Sequence, residues 1–187
     1  METNMKKTYS IDPAHSGAHF TVRHMMITNV RGSFKKVTGA VGYDPENPAD
    51  TSIQAEIDAS SINTNDDQRD THLRSADFLD VAKFPTITFR STKVQPDSES
   101  EWNVTGDLTI HGVTRPVVLK VDAPGAEAKD PWGNLRMGAS ATTKIKRSDF
   151  GLSWNAALEA GGLLVGDELK IELELSLMRS ADVTQTA

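Results

Sequence analysis

Alternation of apolar and polar residues along many short segments is the feature that most constrains the fold of this chain. In the last of these segments every second residue from 169 to 177 is Leu or Ile, whereas Lys170, Glu172 and Glu174 lie between them. Successive side chains of a β-strand point to opposite faces of a sheet, so this pattern predicts a strand with one buried and one solvated face. One-sided burial of this kind is typical of antiparallel sheets.

The same alternation recurs through the rest of the chain and predicts further strands. These cover 8–11, 18–26, 30–43, 52–59, 86–94, 102–110, 116–121 and 134–146. Within 30–43 the apolar positions change phase at Lys35 and Lys36, as a one-residue β-bulge would produce. Segment 65–76 lacks alternation, and Thr64 or Asn65 is placed to cap its first amides, so we predict one short helix there. A further helical turn is predicted near 148–150.

Many strands, one helix and no repeating strand–helix units favour a barrel or a sandwich over a parallel α/β fold. Periodicity alone does not choose between the two. Small residues on the inward faces favour a hollow interior, and a barrel of about eight strands can enclose one ligand. These small residues are Ala18, Gly32, Gly39, Ala55, Gly106, Ala139 and Ala141. We expect one domain over 8–179, with flexible termini at 1–7 and 180–187.

Charge and composition exclude several classes of function. The chain carries 26 acidic and 20 basic residues, a net charge of −6, and its bases are scattered, so no basic face is available for nucleic acid. It contains no cysteine, which removes disulfides and thiolate chemistry. No apolar run follows Lys6 and Lys7, so we find neither a signal peptide nor a membrane span and expect a cytoplasmic protein. A processed periplasmic chain would have the same appearance.

Candidate catalytic and metal sites are weak. His15 and His19 have the spacing of a helical zinc pair, but on a strand that spacing separates them by roughly 13 Å, so we expect no metal site. Asp12, His15 and Ser16 are close in sequence without the geometry of a catalytic triad. We therefore expect no catalytic residues, no cofactor and no enzyme.

Polar residues near the N-terminal strands could contact the polar end of a ligand. His24 lies on the apolar side of its strand, where it is either a head-group contact or a core histidine bonded to a neighbour. Arg23, Arg31 and Arg69 could hold a polar head by bidentate hydrogen bonds, and ordinary surface arginine is the alternative for each.

Four sequence blocks resemble the YceI-like family of lipocalin-like polyisoprenoid-binding proteins. They are YSIDPAHSGAHFTVRHMMITNVRGSF, RDTHLRSADFLDVAKFPTITF, GDLTIHGVTRPVVL and KRSDFGLSWNAALEAGGLLVGDELKIELEL. The resemblance implies an all-β fold, a single antiparallel lipocalin-like barrel with one inserted helix around 69–75. It also implies a tunnel for isoprenoid chains. Members of the family often form homodimers, so the resemblance implies a homodimer for this chain as well. Many relatives carry a secretion signal that this sequence lacks.

Together the strand pattern and the resemblance predict binding, storage or transport of a long isoprenoid-type lipid, such as a polyisoprenoid or an isoprenoid quinone. Two alternatives remain: an enzyme that uses Asp12, His15, Arg23 and His24 on such a lipid, and a stress-related interaction protein with a packed barrel. The predicted ligand-binding residues are Phe20, Val22, His24, Met26, Phe34, Val41, Phe89, Trp102, Leu108, Ile110, Trp154, Leu163, Leu173 and Leu175.

Overall fold

A computed structural model describes residues 6–180, which form twelve strands and one α-helix. The strands are β1 (Lys7–Ile11), β2 (Gly17–His24), β3 (Thr28–Phe34), β4 (Val37–Tyr43), β5 (Ser52–Asp58), β6 (Ile62–Asn63), β7 (Thr86–Pro96), β8 (Glu101–Ile110), β9 (Val113–Asp122), β10 (Ala128–Lys129), β11 (Leu135–Lys146) and β12 (Val165–Arg179). The helix α1 is Asp67–Arg74, and short 3-10 helices cover Pro48–Asp50, Ala59–Ser61 and Arg147–Phe150.

Eight of these strands close into an antiparallel barrel. Their order around the ring is β11, β9, β8, β7, β5, β4, β1 and β12, and β12 pairs again with β11. A closed ring satisfies the backbone hydrogen bonds of every member and leaves no open edge. The lipocalin-like barrel with one short helix that the sequence predicts is therefore confirmed.

The long strand β12 extends the structure beyond the ring. Near its C-terminal end it pairs with β1, where Ile11 lies opposite Leu177. Along the rest of the same edge it pairs with β2, from Glu174 to Val165. Because β2 continues through β3 to the short β6, a second sheet segment extends from one end of the barrel.

The helix α1 and the loop after it cover that end. Leu73 of α1 and Leu79 of the loop pack with Ile62, Ile110 and other buried residues in one apolar cluster. The helix is shorter than the predicted 65–76. Its N-cap is Asp66, whose carboxylate accepts a hydrogen bond from the Arg69 amide at 2.9 Å. The predicted cap Asn65 does not take this role, because its backbone is left-handed and cannot start a helix.

Strand and terminus boundaries also differ from the predictions. The strand predicted over 18–26 ends at His24, because Met25 and Met26 have positive φ values of 50° and 59° and form a turn. The predicted flexible termini lie almost wholly outside the described residues, except that Lys7 begins β1 and the Ser180 amide bonds to the carbonyl of Thr8. Within residues 6–180, no helix is long and apolar enough to cross a membrane.

Candidate ligand-binding site

The inward faces of the barrel strands leave a main cavity between them. About 160 Å³ of it is open to the centre of a water molecule, whereas one water needs roughly 10–15 Å³ on this measure. Its walls are almost entirely aliphatic and aromatic side chains. An apolar hollow offers water too few hydrogen-bond partners to hold it in place, so this cavity is suited to an apolar guest.

Small inward residues differ in their effect on the size of this cavity. Four alanines line it: Ala18, Ala55, Ala139 and Ala141. Two glycines do not widen it, because aromatic rings cross over them. A Cβ atom on Gly106 would lie 2.4 Å from the ring of Phe89, and one on Gly32 would lie 2.3 Å from the ring of Phe20. The expectation that these two glycines help to hollow the barrel is wrong; they give the rings room to lie against the sheet.

A second hollow lies between the main cavity and α1, and about 120 Å³ of it is open to the centre of a water molecule. Leu73 of α1, Phe78 and Leu152 form part of its wall. The two hollows share six side chains, which form a waist between them: Phe20, Phe34, Ile87, Ile110, Ile145 and Ile171. The two hollows therefore adjoin each other with these side chains between them, and we call them together the apolar path.

A groove of about 430 Å³ continues this path at the surface. It shares Phe20, Val22, Leu73, Phe78 and Val165 with the second hollow. Several charged and polar side chains gather in the wall at this end of the path. They come from β2, which supplies Arg23 and His24, and from α1 with its N-terminal loop: Asp66, Gln68, Arg69 and His72.

The Arg69 guanidinium is held in position at the groove. Its Nε donates to the Thr64 hydroxyl at 2.8 Å, and its Nη2 donates to the Thr64 carbonyl at 2.9 Å. The Thr64 hydroxyl donates in turn to the buried carboxylate of Asp70 at 2.5 Å. Arg69 Nη1 makes no hydrogen bond to any residue in the described part of the chain, so it is available to a ligand.

Aromatic rings form one side of the groove. The ring of Trp154 lies 4.8 Å from that of His72 and 5.2 Å from that of Phe78. His72 is fixed from its other side by Asp77, at 2.8 Å from Nε2. His24 is half-buried and its imidazole makes no hydrogen bond within residues 6–180, so the structure does not supply the bonded neighbour that the core-histidine alternative requires.

Arg147 is a buried cation that the sequence did not reveal. Its guanidinium is 6% exposed and donates to the carbonyls of Leu152, Trp154, Gly166 and Val165 at 2.7–3.3 Å. Burial lowers its pKa, and the charge of Asp167 opposes that shift. The side chain lines the second hollow, but its donors are used to hold the 152–154 loop against the start of β12. Lys146–Arg147–Ser148 has the composition of a surface turn, and no periodicity marks its burial.

The polar cluster of the enzyme alternative is not assembled. Asp12 and His15 lie before β2, whereas Arg23 and His24 lie at its far end, roughly 23 Å away for a strand of this length. The Ser16 hydroxyl donates to the carbonyl of Ser176 instead of to a base.

Asp12 belongs to an ion-pair network on the outside of the barrel. It contacts Arg136 at 2.6 Å and His15 at 2.8 Å, and Arg136 also contacts Asp130 at 2.7 Å. Hydrogen bonds from Arg136 and His15 lower the pKa of Asp12 from 3.8 to about 2. Across residues 6–180, no three His, Asp or Glu side chains are grouped so that they could hold a metal ion.

Comparison with known proteins identifies the fold. Residues 9–177 match the model of the YceI-like domain. The chain belongs to the YceI-like family. It is 42% identical to protein YceI of Escherichia coli over 146 residues, which cover 77% of this chain and 75% of that protein. It is 41% identical over 146 residues to a UPF0312 protein of Vibrio cholerae, with 77% of each chain covered.

Solved structures show the same barrel. The crystal structure of BcnA from Burkholderia cenocepacia has a TM-score of 0.75 and 28% identity, and covers 89% of this chain and 98% of its own. A domain from Saccharophagus degradans described as polyisoprenoid-binding has a TM-score of 0.65 and 19% identity, and covers 92% of this chain and 98% of its own. At that identity the second likeness establishes the fold alone.

Within this YceI-like barrel, the predicted ligand-binding residues fall into three groups. Nine line the main cavity: Phe20, Phe34, Val41, Phe89, Trp102, Leu108, Ile110, Leu173 and Leu175. Val22, His24 and Trp154 line the groove. Met26 and Leu163 lie outside the path, 64% and 53% exposed. The prediction that these two face the interior is wrong, because Met26 lies in the turn after β2 and Leu163 in the loop before β12.

Proposed function

We propose that this chain binds a long isoprenoid-type lipid, with the tail in the two hollows and the polar end in the groove. The observation that carries the proposal is the apolar path, which adjoins a groove with charged side chains of β2 and α1 at one end. The wall of the apolar path includes Leu177 near one end of β12 and Val165 at the other. That separation is roughly 30 Å along the barrel once strand tilt is allowed for, which favours a chain over a compact ligand.

The energetics support binding of such a chain without catalysis. A tail that buries several hundred Å² of apolar surface gains on the order of 10 kcal/mol before the costs of immobilisation are subtracted. Arg147, the buried cation at the second hollow, uses its donors on backbone carbonyls and is not free to act on a substrate. We therefore assign storage or transport of the lipid, and not its conversion. The Saccharophagus degradans domain of the same fold is described as polyisoprenoid-binding, which agrees with this choice of ligand.

Mass spectrometry of an organic extract of the purified protein tests the proposal. We expect a long apolar molecule in the wild-type extract, or uptake of added geranylgeraniol where the protein is isolated empty. Phe34→Asp places a charge at the waist between the hollows and should lower lipid content at least tenfold. Lys35→Asp, at the exposed neighbouring position, is the matched control and should bind normally. An empty wild-type extract together with no uptake would overturn the proposal.

A further inference from the structure

The turn between β2 and β3 exposes large apolar side chains. Met25, Met26 and Ile27 are 42%, 64% and 69% exposed. The Ile27 amide closes the turn on the carbonyl of His24 at 3.1 Å, and both central residues have positive φ. A turn of this geometry is type I′, for which Asn-Gly is preferred and methionine is disfavoured. The turn between β2 and β3 thus combines backbone strain with exposed apolar side chains, and the fold requires neither.

A second loop extends this surface. The Met25 amide donates to the carbonyl of Leu164 at 2.7 Å, and the Met26 sulfur covers Gly162, lying 2.3 Å from where a Cβ atom would stand. Leu163, next to that glycine, is 53% exposed. We call these four exposed side chains, Met25, Met26, Ile27 and Leu163, the apolar tip.

The apolar tip lies beside the opening of the proposed lipid path. His24 and Leu164, which adjoin it in the chain, both line the groove. The segments that carry the tip are poor in charge: 24–30 and 155–165 contain no Lys or Arg, and Glu159 is their one acidic residue, although a quarter of the whole chain is charged. Charged side chains nearby, such as Arg23, line the groove. The apolar tip itself offers a partner no charge, so recognition through ion pairs does not fit it.

We propose that the apolar tip inserts into the interface of a lipid bilayer and places the groove against the membrane. The inference rests on the proposed function, because a lipid cargo that dissolves in membranes must reach the opening from one. The four side chains expose roughly 400–500 Å², within the range of about 300–600 Å² for the largest patch on a monomer. That is about half of the ~800 Å² that each partner contributes to a specific protein interface, so the area fits a bilayer better than a second copy of the chain.

Flotation with phosphatidylcholine vesicles tests the inference. We expect the wild type to float with the vesicles. In the double variant Met25→Asn/Met26→Gly, the fraction of protein bound to the vesicles should fall at least tenfold. Because Asn-Gly is the pair that a type I′ turn prefers, this variant should unfold at the same or a higher temperature than the wild type. Trp132→Ser is the matched control: Trp132 is 83% exposed but lies before β11, at the opposite end of the barrel, and its loss should leave vesicle binding unchanged.

Vesicle binding and lipid uptake are measured separately, so that the two proposals fail separately. Uptake of geranylgeraniol from dilute ethanol, without vesicles, reports on the cavity alone and should be equal in the wild type and the double variant. A wild type that takes up the alcohol but does not float overturns docking and leaves the proposed function in place. Equal flotation of the double variant also overturns docking. Docking is overturned as well if the wild type is a dimer and the double variant is a monomer, since a second copy of the chain then covers the apolar tip.

Discussion

Replacing Ala139 by Leu should stabilise the barrel and weaken lipid binding at the same time. Ala139 lies on β11 opposite Leu175, and both line the main cavity. Three added carbons gain at most about 2.4 kcal/mol at ~0.8 kcal/mol each, and ordering a leucine side chain costs about 0.5–1 kcal/mol. The net gain of about 1.5 kcal/mol corresponds to a rise in Tm of roughly 3–6 °C for a domain of this size. A lipid loses a similar contact area, so its affinity should fall on the order of tenfold.

The assay requires protein from which bound lipid has been extracted, because a ligand that binds the folded state raises the apparent stability. Urea unfolding gives the free energy, and displacement of a fluorescent lipid gives the affinity. Ala40→Leu is the matched control, since Ala40 lies exposed on the outer face of β4 and should change neither quantity. Destabilisation of Ala139→Leu by 1 kcal/mol or more with unchanged affinity would mean that the site is already filled, and would refute the reasoning.

Two further substitutions test other parts of the structure. Gly106→Ala places a Cβ atom 2.4 Å from the Phe89 ring and should cost about 1–3 kcal/mol of unfolding free energy in urea. Gly138→Ala is the control, because a Cβ atom at Gly138 would have no neighbour within 4 Å, and it should leave the unfolding free energy unchanged. Equal losses in the two variants would contradict the contact with the Phe89 ring. Because the pKa of Asp12 is lowered to about 2 by Arg136 and His15, its ion pair stabilises the fold above pH 3.8 and is lost as pH falls towards 2. Asp12→Asn should lower the urea midpoint at pH 7 and flatten its acid dependence; parallel pH curves would argue against this.

Strand positions could be predicted from the sequence because alternation is local. The strand predicted over 102–110 is observed as Glu101–Ile110, and the segment from 169 to 177 lies inside Val165–Arg179. Two-residue strands such as β6 and β10 could not be predicted, since two positions cannot show a period. The phase change at Lys35 and Lys36 is visible in the sequence, but the predicted bulge is wrong: these residues separate β3 from β4, which have different neighbours in the sheet.

The missed parts of the site depend on contacts between distant segments. A buried arginine is normally expected beside a carboxylate, but Arg147 is satisfied by backbone carbonyls, which every residue possesses. Met26 continued the alternation of β2, and only its left-handed backbone shows that the strand has ended. Whether inward faces meet or enclose a space depends on how the ring closes, so periodicity could favour a cavity without establishing one.

The pairing of the first strand with the last has a consequence for how the protein reaches its native state. Tyr9 lies opposite Arg179, about 170 residues further along the chain. Contacts this distant in sequence slow folding, because a large loop must close before they form. During synthesis β1 can pair with β4 but has to wait for β12, and until then β1 has a free edge that can pair with another molecule. We therefore expect refolding yield to fall steeply as protein concentration rises, with the sealing of this seam among the last events.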